Sequence, residues 1–286
     1  MARYRMSAKV RQALQRYGQR HGLAAQEINV LDWGCGRGES VAWLREQGYN
    51  AYGVDVNEQF LENGRRLLAG RKLAAEQILT EIDSEGRTTH QSGFFHFVFS
   101  EQVFEHVAQL DHSAREISRV TAEGGRGLHS FPAHRMPYEP HLYIPLVHWL
   151  PKNHRLRTQW LKLFLALGLG PHWPELAGKS LLDQAATYSR YTIENTFYRP
   201  PRAVRQIFTA QGLKVHFATL DTPAFQRRCA FRWASRLPGI RSLLNAALVN
   251  VVNVDMRTIK PASSPGLSGR PSASRRLHGH LRERAA

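Results

Sequence analysis

Along residues 28–131, and again from 199 to 260, short apolar runs alternate with stretches whose apolar positions recur every three or four residues. Runs near 28–32, 50–55, 78–82, 95–100 and 126–131 predict strands. Between them, Val41 with Leu44, Phe60 with Gly64 and Leu67, and Ile117 with Val120 mark the expected apolar faces of helices. Strand and helix in alternation imply a parallel sheet covered on both sides. In 199–221 two prolines open a helix, Gly212 closes it and an alternating run makes a sixth strand; 251–261 would supply the last, antiparallel strand. Tyr4, Val10, Leu14 and Tyr17 predict a leading helix within 1–27, and 28–132 forms the first part of the core. Residues 133–198, rich in Pro, His and Trp, break the rhythm and read as an insertion, after which 199–260 completes the sheet. Beyond Pro261 the Ser, Gly, Pro and Arg composition cannot build a core, so 261–286 is expected to be a disordered basic tail.

The chemistry concentrates at the first strand and the turn after it. INVLDWGCGRGESVAWL, residues 28–44, reads as a strand feeding a glycine loop and a helix, and a second strand ends at Asp55. Such a unit binds a nucleoside, with the strand-end carboxylate placed to accept hydrogen bonds from ribose hydroxyls. The spacing of Gly34, Gly36 and Gly38 departs from the dinucleotide fingerprint, whose third glycine position holds Glu39 here. Asp32 and Glu39 flank the loop with negative charge, which repels a pyrophosphate but suits a ligand carrying an ammonium and a sulfonium. S-adenosylmethionine meets that description.

On these residues the chain resembles the class I S-adenosylmethionine-dependent methyltransferases, with motifs like those of types 11 and 12. VLDWGCGRG looks like the first motif, YGVDVN like the ribose-binding second, FFHFVFSEQVFEHV (94–107) like the fourth strand and its turn, and REISRVTAEGGRGLHSFP (115–132) like the following helix, turn and fifth strand. The sequence departs from the family pattern at His96, where an acidic residue is usual. The resemblance implies an α/β, Rossmann-like, seven-stranded and mostly parallel sheet of order 3-2-1-4-5-7-6, with helices on both faces and a helical substrate cap inserted after strand five. It also implies that S-adenosylmethionine is held by Asp32, Gly34, Cys35, Gly36, Gly38, Asp55, Val56, Ser100, Glu101 and Gln102. Asp83 is the candidate for the adenine-contacting acid; the other reading is a turn residue beside Ser84 and Gly86.

Charge changes this picture little. Of the net +16, residues 1–20 carry +6 and the tail +4, which leaves +6 for the 240 residues between. No RNA- or DNA-binding module accompanies it, so the excess reads as a solvated surface or an attraction to anionic lipid. The Arg-rich start fits a leading helix better than a transit peptide, and it cannot be a secretory signal. Two cysteines, Cys35 and Cys229, exclude a disulfide framework and point to a reducing cytoplasm. Segments 148–170 and 234–252 are too short or too interrupted to span a bilayer, although either could lie at the inner face of a membrane.

Methyl transfer from a sulfonium needs positioning, dryness and, for a hydroxyl acceptor, a base. His141, then His134 and His106, are the candidate catalytic residues. Five histidines between 134 and 172 show no i, i+4 pair and no grouped oxygen or sulfur ligands, so no metal is expected. The apolar, aromatic and His-containing insertion favours O-methylation of a small or lipid-linked acceptor, such as a quinone-like ring or a glycan on a lipid carrier, without an obligate protein partner. The alternatives are an RNA or protein methyltransferase and a cofactor-binding regulatory subunit without turnover.

Overall fold

The computed structural model describes residue 4 and residues 6–262, apart from 229, 230, 232, 234 and 235. The sheet contains β1 (Asn29–Trp33), β2 (Asn50–Asp55), β3 (Leu79–Glu81), β4 (Phe95–Glu101), β5 (Thr121–Phe131), β6 (Lys214–Phe217) and β7 (Val254–Ile259). Their order is β3-β2-β1-β4-β5-β7-β6, as the resemblance implies. β1 to β5 pair in parallel, while β7 runs antiparallel to both β5 and β6. The helices are α1 (Ala8–His21), α2 (Glu39–Glu46), α3 (Glu58–Ala69), α4 (Ala75–Ile78), α5 (Leu110–Val120), α6 (His154–Ala166), α7 (Leu181–Glu194), α8 (Pro201–Ala210), α9 (Pro223–Gln226) and α10 (Pro238–Leu248).

Alternation along the strands sorts the core into two layers, because successive side chains leave opposite faces of a sheet. Val30, Phe97, Phe99 and Leu128 meet Val10, Leu14 and Tyr17 of α1 and Val41 and Leu44 of α2. Leu31, Trp33 and Val98 meet Ile117 of α5 and Val204 and Phe208 of α8 on the other side. The caps follow from sequence: Ser7 accepts from the Val10 N–H, and Gly22 closes α1 at φ +65°.

The register of α3 differs from expectation. Leu61, Gly64 and Leu68 form its buried face, whereas Phe60 is 40% exposed, with the Arg37 guanidinium 5.8 Å from its ring. Asn57 caps the helix through the Phe60 N–H, which fixes its rotation one position away from the predicted face. β5 is also longer than predicted. It leaves α5 without an intervening loop, and Gly124 at φ +74° lies in the irregular register between the Phe95 and Phe97 pairings. His96 stands at the strand edge, where its Nδ1 accepts from the Asn29 N–H.

Residues between β5 and α8 build a small core of their own around Leu142, Ile144, Val147, Leu161, Leu176, Ala185 and Tyr188. Buried Arg157 ties α6 to α7 by donating to Thr192, Leu150 and Pro151. Residues 195–199 stitch this insertion to the loop after β4. The Phe197 N–H donates to the Glu105 carbonyl, and Arg199 donates to the carbonyls of Phe104, Val107 and Ala108. Among the described residues no helix is long and apolar enough to cross a membrane. The tail expected from 261 lies, from 263 onward, outside the described residues, as does Cys229.

Candidate active site

β1 delivers Asp32 to the edge of the glycine loop, where it is buried and accepts a hydrogen bond from the Ser40 hydroxyl at the start of α2. Burial pushes its carboxyl up to about 7, against the Ser40 bond and helped by the nearby charges of Glu101, Asp55 and Glu39. The N–H groups of Gly34 and Cys35 both donate to the Val54 carbonyl, folding the loop over β2. Gly34 sits at φ +79°, and a Cβ there would stand 2.5 Å from Val103. Gly34→Ala therefore combines a strained backbone with overpacking. We expect a loss of about 1–3 kcal/mol in stability and weaker cofactor binding. An unchanged thermal melting curve would contradict this. Gly36 is the converse case: a Cβ there meets nothing within 4 Å, so the loop opens onto free space.

Asp55, at the end of β2, accepts from the Gly36 N–H at 2.8 Å and from the Asn57 N–H at 2.9 Å. Val56 beside it is 69% exposed, an apolar surface next to a carboxylate. Cys35 is buried, and burial followed by the charges of Asp32 and Asp55 pushes its thiol well up, which disfavours the thiolate. Gly38 caps α2 at φ +68° against Leu79. Ser100 pairs with Nδ1 of buried His129, whose imidazole is pushed down to about 3 by burial. Gln102 turns the chain at φ +57° and donates to the Ser130 carbonyl.

Two residues from the leading segment reach the same place, and sequence reasoning assigned neither to the site. Lys9 pairs with Asp255 at 3.0 Å and with Glu101 at 3.6 Å. The Tyr4 hydroxyl is pushed up to about 12 by burial, then by the charges of Asp32, Glu101 and Glu39. Asp83 stands one residue beyond Ile82, whose N–H donates to the Asp55 carbonyl. It is exposed, and its Oδ1 accepts from the N–H groups of Glu85 and Arg87, closing its own turn.

A second group assembles where the loop after β4 meets the insertion. His106 and His141, 35 positions apart in sequence, lie with ring centroids 4.8 Å apart. Nδ1 of His106 donates to the Asn195 carbonyl at 2.7 Å, and Nδ1 of His141 donates to Glu139 Oε1 at 2.9 Å. Glu139 is fully buried and also accepts from the Tyr198 hydroxyl and from the N–H groups of His141 and Leu142. Burial alone would raise its pKa, but the bonds from His141 and Tyr198 outweigh that and hold it low. Burial likewise disfavours the His141 imidazolium, yet the Glu139 hydrogen bond and charge, with Glu105, raise its pKa above 6.5. Glu105 is the opposite case. At 2% exposure its carboxylate finds no hydrogen-bond partner beyond a contact with its own backbone N–H, and burial pushes it up to about 7. His134 is not part of this group. It lies half-buried after β5 with Nδ1 unpartnered and its pKa lowered by burial, then by Arg135.

Residues 31–128 match the family model described as a methyltransferase domain. Within this segment the chain is similar to methyltransferase domains. The loop leaves the Gly36 backbone open, without a Cβ, beside the strand-end carboxylate of Asp55 and the carboxylates of Asp32 and Glu101. The chain is similar to an S-adenosylmethionine-dependent methyltransferase from Mesorhizobium loti at 15% identity, over 87% of this chain and 96% of that one, with a TM-score of 0.47. It is also similar to phosphoethanolamine N-methyltransferase 2 of Haemonchus contortus, at 13% identity, 88% and 53% coverage and a TM-score of 0.49. A third similarity is to geranyl diphosphate C-methyltransferase of Streptomyces coelicolor, at 15% identity, 88% and 77% coverage and a TM-score of 0.45. The second polar group lies outside the matched segment at Glu139 and His141, and inside it at Glu105 and His106.

Proposed function

We propose that this methyltransferase methylates a hydroxyl oxygen of a small or lipid-linked acceptor seated between the loop after β4 and the insertion, residues 133–198, which serves as the substrate cap. The observation that carries this reading is the convergence of His106 and His141 at 4.8 Å, each with Nδ1 anchored so that Nε2 keeps its lone pair. A hydroxyl is a poor nucleophile until its proton leaves, and a pair of neutral imidazoles beside a buried carboxylate is what that step requires. S-adenosylmethionine, when bound, supplies the methyl group already activated on its sulfonium. Asp55 then holds the ribose, Val56 offers an apolar face to the base, and Asp32 and Glu101 meet the ammonium; Asp83 remains the candidate for the adenine edge. Lys9 of α1 and Tyr4, ahead of that helix, border the site.

The cap supports a lipid-linked acceptor in particular. Leu156, Leu163 and Leu167, which is 66% exposed, recur along one side of α6 and its end, close in sequence to Arg155 and Lys162. An apolar stripe edged by basic residues lies well at a membrane surface, so peripheral contact belongs to this proposal.

The test supplies radiolabelled methyl donor and purified protein to cell extract and separates lipid, small-molecule, RNA and protein fractions, with Asp55→Ala as control. Label in the lipid or small-molecule fraction, absent with the variant, is the expected result. Label in RNA or protein would overturn the acceptor class. Donor binding without label in any fraction would favour a regulatory subunit.

A further inference from the structure

We propose that Glu105, His106 and His141 form a binding site for one divalent transition-metal cation, at which the acceptor's oxygen is bound and loses its proton. One ligand atom from each of the three lies within 4.8 Å of the other two. The role toward the acceptor rests on the methyl-transfer reading; the cation site itself rests on three features of this cluster.

The first is the state of the imidazoles. A carbonyl only accepts, so Nδ1 of His106, 2.7 Å from the Asn195 oxygen, carries its proton. Nδ1 of His141 faces the Glu139 carboxylate in the same sense. In its neutral form each ring therefore presents Nε2 as a bare lone pair, with the other nitrogen tied to a carbonyl or a carboxylate. That is the arrangement by which proteins orient metal-ligating histidines. Glu139 receives four donors, so it serves as a support rather than as a ligand.

The second is Glu105. A carboxylate 98% buried is normally paired or hydrogen-bonded, yet both of its oxygens lack a partner other than their own backbone. When the two rings are neutral, they have only acceptor positions left to offer it. A carboxylate and two imidazole nitrogens gathered within 4.8 Å leave acceptor atoms unpaired unless a proton or a cation stands between them. Bonds of about 2.1 Å to one cation would draw the three ligand atoms in to a spacing of roughly 3–3.5 Å.

The third is the choice of ligand types. Two imidazoles and one carboxylate suit zinc, manganese, iron(II) or cobalt, whereas magnesium and calcium prefer oxygen donors throughout. Three protein ligands leave positions open for the acceptor. A hydroxyl bound there would release its proton to water near neutral pH, the imidazoles then acting as ligands in place of bases, and the oxygen forms its bond to the methyl carbon as the carbon–sulfur bond breaks and that pair returns to sulfur. The expectation that histidines 134–172 hold no metal looked within the cap; the ligands come instead from both sides of the interface between cap and core.

The test is titration of the full-length protein with Co²⁺, followed by visible absorption and displacement with Zn²⁺, while affinity for S-adenosylhomocysteine is measured in the same samples. One equivalent of Co²⁺ with d–d bands, displaced by one equivalent of Zn²⁺, is expected. Glu105→Gln, which keeps shape, should weaken Co²⁺ binding more than about tenfold, and Glu139→Gln by about 10–100-fold, with melting temperatures and homocysteine-product affinity retained. No bands with the wild type, or equal Co²⁺ binding by the wild type and Glu105→Gln, would overturn the site. Co²⁺ binding that needs Glu105 without any S-adenosylhomocysteine binding would uphold the site and sink the methyl-transfer reading; the reverse pattern would do the opposite.

Discussion

Replacing His141 by alanine should lower kcat for methyl transfer by about 10²–10⁴-fold while leaving the affinity for S-adenosylhomocysteine within about threefold. The separation follows from placement. His141 belongs to the cap and bonds to Glu139 and Tyr198, whereas the donor loop is held by Val54, Asp55 and Val103. The wild-type pH profile gives a second readout. His141 faces Glu139 from its own loop, Glu105 and His106 from the loop after β4, Tyr191 from α7, and Tyr198 from the segment after it. Only the neutral imidazole has a free Nε2, and the folded-state pKa is raised, so the protonated form persists to higher pH than for an ordinary histidine. Activity is therefore lost as pH falls, with an inflection above 6.5. In Glu139→Gln the raising partner is gone and burial acts unopposed by it, so the inflection should move to lower pH. A profile of kcat/KM whose inflection stays in place would show that His141 is not the group that titrates.

Asp55→Ala should weaken S-adenosylhomocysteine binding by about 10²–10⁴-fold in calorimetric titration. Each hydrogen bond to a charged acceptor contributes about 1.5–3 kcal/mol, and a ribose offers two. The same carboxylate also organises the loop through the N–H groups of Gly36 and Asn57, so its removal loosens the turn that the ligand must meet. Asp55→Asn retains one acceptor and should fall between, about tenfold below the wild type. A thermal melt separates the two contributions, because the lost loop bonds act without ligand and the lost ribose bonds only with it. Equal affinity in all three proteins would remove Asp55 from the donor site.

The proposed donor half of the site was legible because its requirements are local. Gly34 must take a positive φ and lie against Val103, Gly36 must leave open space, and Asp55 must end a strand beside them. All of these sit within one βαβ unit, so spacing along the chain reports spacing in the fold. The proposed acceptor half was legible only in part. His141 and His106 stood out as candidates by residue type, but Glu139 and Glu105 did not, because a buried acid has no sequence pattern of its own. Tyr4 and Lys9 were missed for a similar reason: a helical period shows which face of α1 packs, but not which residues reach past its end to β4 and β7. Phe60 shows the limit of periodicity, since the Asn57 cap rotates α3 by one position and turns an aromatic ring outward.

From the sequence alone came the alternation of strand and helix, the sulfonium-compatible glycine loop, and, through its family resemblance, the strand order. These depend on contacts between residues close in the chain or on patterns repeated along it. The tertiary structure alone decided that Glu105 and His106 meet His141 and that Glu139 and Tyr198 stand behind it. That meeting is set by how residues 195–199 dock on the loop after β4, through backbone carbonyls that every residue possesses and no side-chain pattern announces.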